Sequence, residues 1–219
     1  YSCGGKIMIE EIISFTKISK DELSLFDFNN DLSMLNDLNY YSHIENRQSF
    51  RLFDPKINLS TEQDLIGIFN LLDNIVNSIF KLPEIIDLCI VDNKGNLNKN
   101  QKDIYIYKEN NFKKIITQKT WNKENFYIQE EMHDADGVIF FLWDFSKIPK
   151  EYREYGRFYK EIIMLSGFLG QVVAEYAEKA NWKGTPFAGI IESDWDSIVN
   201  RAYSSNKKPI FAYSFQKNY

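Results

Sequence analysis

Apolar residues recur at steps of four and three through Phe158, Ile162, Leu165, Leu169, Val172, Tyr176 and Ala180. That spacing places them on one face of a helix. Ile163, Met164, Phe168 and Val173 add apolar side chains on adjoining faces. They predict a central core helix whose middle is buried on more than one side. Gly167 and Gly170 lie inside it. Each costs roughly 1 kcal/mol relative to alanine, which predicts close packing against a neighbour. The helical pattern opens near Glu151, after a Pro149 suited to a first turn, and runs into a Gly/Pro-punctuated turn over 181–189.

A second helix is predicted over 61–80, with Leu65, Phe69, Leu72, Val76 and Ile79 on one face. Ser60 and Gln63 stand at capping-box spacing at its start, and Pro83 stops it. Strand patterns fall over 10–18 and 23–28 as a hairpin, and over 84–91 ahead of the turn residues Asp92, Asn93, Lys94 and Gly95. Further strands are predicted over 104–108 and 113–118, paired around Glu109, Asn110 and Asn111, and over 138–143 and 209–215. Residues 29–58 read as loops with a short helix. Ser193 or Asp194 is placed to cap a short helix carrying Trp195, Ile198, Val199 and Ala202. Together these predict one α+β domain spanning residues 1–219, a mixed or antiparallel sheet packed by helices.

Composition narrows the possible functions. The net charge is −5, with no dense Lys/Arg stripe, which argues against a nucleic-acid partner. No apolar run approaches the roughly 20 residues that span a bilayer, and the start is not a signal peptide, so no membrane attachment is expected. Cys3 and Cys89 stand far apart without a CxxC pattern and read as reduced thiols of a cytoplasmic protein. Glu130, Glu131, His133, Asp134 and Asp136 form an acidic group that reads as a solvated loop, and no metal site is expected.

The order Tyr155, Gly156, Arg157, Tyr159, Lys160, Gly167, Gln171, Ala177 and the 181–189 turn resembles the C-terminal half of nitroreductase-fold flavoproteins. It is most similar to their azoline-dehydrogenase branch, FMN enzymes that oxidise thiazolines and oxazolines in ribosomal peptide natural products. The start, YSCGGKIMIEEIISF, is similar to that branch's Pro-Ser-x-Gly-Gly segment. The resemblance implies FMN as cofactor, with Ser2, Gly4 and Gly5 approaching the flavin ring. It implies that the turn lies near the flavin, where Asn181, Lys183 and Ala188 stand in place of glycines. Gly184 remains, and Lys183 is a candidate for the phosphate. Arg157 either binds phosphate or pairs with Glu154 or Glu161. Gln171 is hydrogen-bonded either structurally or to a ligand at a dimer interface.

Where the branch carries a Lys-Tyr pair ahead of the long helix, this chain has Glu154 and Tyr155, with Tyr152 the alternative if the register slips. The resemblance implies a proton-transfer role for that pair. It also places an Arg-rich helical segment ahead of Tyr1, so the expectation is a chain lacking its natural N-terminal segment or a site without that part. Two functions are expected from this. One is an FMN-dependent, azoline-dehydrogenase-like oxidoreductase acting on a modified peptide. The other is a catalytically degenerate subunit that binds or scaffolds within a peptide synthetase complex. Either is expected to dimerise, with itself or with a related flavoprotein.

Overall fold

The computed structural model describes residues 49–98, 102–115, 126–150, 157–196 and 206–218. The predicted hairpin over 10–28, Cys3, and the candidates Ser2, Gly4, Gly5, Tyr152, Glu154 and Tyr155 lie outside them, as do Ile198, Val199 and Ala202.

Among the described residues six strands form one sheet in the order β3-β2-β1-β4-β6-β5, and every neighbouring pair is antiparallel. They are β1 (Ile86–Asp92), β2 (Asp103–Lys108), β3 (Asn111–Lys114), β4 (Gly137–Asp144), β5 (Trp182–Phe187) and β6 (Lys207–Lys217). Side chains alternate across a strand, so one strand can feed two cores. In β4, Ile139, Phe141 and Trp143 enter the core under the helices, while Val138, Phe140 and Leu142 enter a second core on the opposite face. Burial on both faces explains why this strand reads as an unbroken apolar run rather than an alternating one.

The helices α1 (Glu62–Ile79) and α2 (Arg157–Lys179) cover the first face, α2 on β5 and β6 and α1 on β1 and α2. Leu65, Phe69, Leu72, Val76 and Ile79 of α1 are all buried, as their spacing predicts. The cap differs by one residue from expectation. Thr61, not Ser60, accepts from the Asp64 backbone, and Asp64 completes the box. Ser60 Oγ instead donates to Asp136 Oδ2 at 2.6 Å, a partner far along the sequence.

The second face is closed by Phe126, Tyr127, Met132 and Trp195, and the three rings among them pack around Phe140. Trp195 belongs to α3 (Glu192–Trp195). That helix starts before Ser193 and Asp194, so neither is its cap. The β2–β3 hairpin turns at Glu109 and Asn110, with φ of 55° and 59°. Two such residues make the mirror-image turn that suits strand twist. As a result β3 begins at Asn111, earlier than the strand predicted from Lys113.

Candidate functional site

Helix α2 presents two unlike faces. Ile162, Leu165, Leu169, Val172 and Val173 enter the core, and the buried Trp143 indole N–H donates to Ser166 Oγ at 2.9 Å. Gly170 sits against Phe211, whose Cε1 would lie 2.2 Å from an added Cβ, so the sequence expectation of close packing holds there. Gly167 does not share it, because a Cβ at that position would meet nothing within 4 Å.

Lys160, Met164, Gly167 and Gln171, spaced by four and three residues, line up on the outer side of α2 with Ile163 beside them. Ile163 and Met164 are 47% and 44% exposed, which corrects the expectation of burial on several sides. Tyr159 is also half exposed. The core takes only one arc of the helix, and the remaining apolar side chains form an open strip around a glycine. Within it Gln171 Nε2 donates to Glu175 Oε1 at 2.5 Å, and Glu175 is 3% exposed. Glu175 belongs to none of the sequence motifs. Its spacing of four from Gln171 is the signal that could have found it.

The chain leaves α2 through Asn181, whose φ of 58° is left-handed, a conformation asparagine tolerates better than most residues. It then enters a strand rather than the predicted Gly/Pro turn. Residues Trp182–Phe187 form β5 and pair along β6 from Lys217 to Ala212. Pro186 is accommodated because β5 ends the sheet order. In β5, Gly184 is required by packing: an added Cβ would lie 2.3 Å from the Ser214 carbonyl oxygen and 2.5 Å from the Tyr213 ring. Lys183 is exposed, with its Nζ 4.7 Å from the centre of the Phe50 ring, while the Phe50 N–H donates to the Gly184 carbonyl. Gly184 and Lys183 are thus joined through Phe50, on the strand that leads away from α2, and Arg157 opens α2.

The acidic group over 130–136 becomes a short 3-10 turn, Glu130–Asp134, and then buried structure. His133 packs its ring 4.8 Å from Tyr127, and the fully buried Asp136 accepts from Ser60, Gln216 and the Lys217 backbone. This corrects the reading of a solvated loop. Among the described residues no group of three His, Cys, Asp or Glu side chains is placed to hold a metal ion. Cys89 is free and buried, and burial pushes its thiol pKa well up, which keeps it unreactive. No described helix is long and apolar enough to cross a membrane.

No protein-family model and no curated protein matches this chain. Solved structures do. A nitroreductase-like protein of Anabaena variabilis superposes with a TM-score of 0.61 at 16% identity, covering 92% of this chain and 45% of its own. A nitroreductase-like protein of Ralstonia eutropha gives 0.55 at 11% identity, over 92% and 93% of the two chains. This chain has the nitroreductase fold. A chain of the E. coli microcin synthetase McbBCD complex, with truncated pro-MccB17 bound, shares that fold at a TM-score of 0.54 and 15% identity, over 95% of this chain and 92% of its own. The chain therefore spans less than half of the Anabaena protein and nearly all of the other two. Among the described helical residues, Tyr159, Ile163 and Met164 of α2 are the large hydrophobic side chains left exposed.

Proposed function

We propose that this chain is one protomer of a cytoplasmic FMN-dependent oxidoreductase, an azoline-dehydrogenase-like enzyme of modified-peptide biosynthesis, with the flavin held beside the outer face of α2 where a second chain packs. The observation that carries the proposal is the open strip at Gly167, flanked by half-exposed Ile163 and Met164, on a nitroreductase-fold helix. Unpartnered apolar surface of this kind marks an interaction site. The likeness to a chain of a peptide-carrying synthetase complex supports a peptide substrate and a heteromeric setting.

The residues present fit FMN. Ile163, Met164 and the bare Gly167 offer an apolar surface that would cover one face of a ring, and Lys160 and Arg157 lie on the same helix for a phosphate. Bound FMN supplies a two-electron acceptor. The chain's own part is to orient the substrate and to take a proton from the carbon being oxidised. Tyr155 is the proposed proton carrier, with Glu154 or Tyr152 beside it. Ser2, Gly4 and Gly5 are proposed to approach the ring, and Lys183 and Gly184 to border the site.

The second reading, a degenerate scaffolding subunit, is favoured by one observation. Lys183 and Gly184 are each engaged within the chain, by the Phe50 ring and by β6. The visible spectrum of the purified protein, with heat release of any flavin, separates the two. A yellow protein releasing about one FMN per chain, whose azoline turnover falls about 100-fold or more in Tyr155→Phe, supports the enzyme. A colourless dimer that takes up no added FMN overturns it in favour of the subunit.

A further inference from the structure

Gln171 and Glu175 form a pair whose chemistry is directional. A carboxylate accepts and does not donate, so the Gln171 amide must turn its nitrogen toward Glu175 Oε1, at 2.5 Å. Glu175 is 3% exposed, so its carboxylate is held by the fold and is a poor candidate for a roaming surface contact. Gln171 is only partly buried and lies one turn beyond Gly167, where the helix surface is bare. No described donor meets the Gln171 carbonyl oxygen. A primary amide carries its carbonyl oxygen and one of its two N–H groups on the same edge. If Glu175 takes the other N–H, that edge is left to offer an acceptor beside a donor.

We infer that Glu175 is a positioning residue that holds the Gln171 amide so that this acceptor–donor edge faces the open side of α2 and recognises the imide of a flavin ring, a carbonyl beside an N–H. The inference rests on the FMN reading above and deepens it by assigning the part of the cofactor that α2 reads. The apolar strip of Ile163 and Met164 makes no such distinction between flavins.

The test is titration with FMN and with its N3-methyl analogue, which keeps phosphate and ring system but lacks the imide N–H. The wild-type protein is expected to bind FMN about tenfold or more tightly than the analogue, the equivalent of one well-placed hydrogen bond. Gln171→Leu, a change on a partly exposed helix position, is expected to bring the two flavins within about twofold. Glu175→Met is expected to do the same, and Glu175→Gln, which still offers an acceptor, to restore part of the preference. Equal binding of both flavins by the wild type, or a preference that survives Gln171→Leu, overturns the inference and leaves the FMN reading standing.

A protein that takes up neither flavin overturns the FMN reading and, with it, the imide assignment. A weakened dimer in Gln171→Leu with the flavin preference unchanged overturns the inference in favour of a contact to a second chain. A flavin-free readout stands beside these. The Gln171 side-chain amide resonances are expected to show slowed solvent exchange that is lost in Glu175→Met. Fast exchange in the wild type overturns the positioning role whatever the cofactor proves to be.

Discussion

Asp64 shows how much a single side chain settles at the start of α1. Its Oδ2 accepts from the Thr61 backbone and hydroxyl, and both of its oxygens accept from Lys217 Nζ at 2.9 and 2.8 Å. Partial burial alone would raise its pKa. The hydrogen bonds from Lys217 and Thr61 outweigh burial and hold it below the ordinary 3.8. A carboxylate depressed in the folded state contributes stability that is complete above the unfolded value and is lost as pH falls through the folded one. Asp64→Asn is therefore expected to cost about 1–2 kcal/mol near neutral pH, a cap and a partly exposed ion pair together. The difference from wild type should shrink as pH falls below 3.8 in urea melts, and a pH-independent difference would remove the ionic contribution. The helix itself was legible from its apolar spacing, but its cap was not. Ser60–Gln63 and Thr61–Asp64 both satisfy the local spacing. The choice is made by Asp136, 76 residues away in sequence, which takes the Ser60 hydroxyl.

At the scale of elements, the two glycines of α2 make opposite predictions. Gly170 faces the Phe211 ring, so Gly170→Ala is expected to cost about 1–3 kcal/mol as the ring is forced aside. Gly167 faces open space, so Gly167→Ala is expected to stabilise the isolated chain by about 0.5–1 kcal/mol, the helix-propensity gain alone. If a second chain packs there, the same substitution weakens the dimer. Denaturation at low protein concentration together with sedimentation measures both terms, and a stabilised chain with unchanged association would take Gly167 out of the interface. Periodicity located α2 and its buried face. It overstated the burial of Ile163 and Met164, because apolar character says that a side chain prefers to be covered and not what covers it. It also missed β5. Trp182–Phe187 contains Gly184 and Pro186, residues that signal a turn locally, and only pairing with the distant β6 makes them sheet.

Across the described residues the sheet is covered on both faces, and Asp136 ties its parts together. It lies just ahead of β4 and is fully buried. Its carboxylate accepts from Ser60 before α1, from the Lys217 backbone at 3.1 Å and from Gln216 Nε2 at 3.4 Å at the end of β6. Lys94 Nζ lies 3.7 Å from Oδ1 while donating to the Asp54 and Ile57 carbonyls. One side chain thereby joins the entry to α1, the β1 turn, the 54–57 segment and the last strand. Removing it leaves a largely buried ammonium and three further donors facing a cavity. Such losses exceed the value of an exposed ion pair, because the groups left behind stay desolvated. Asp136→Ala is expected to cost about 3–5 kcal/mol, and Asp136→Asn a substantial part of that, since its amide nitrogen turns a donor toward donors. In urea unfolding the midpoint should fall with an unchanged slope. A loss under about 1 kcal/mol would mean that water or a neighbouring carbonyl replaces the carboxylate, and that the sheet is held by its two apolar cores alone.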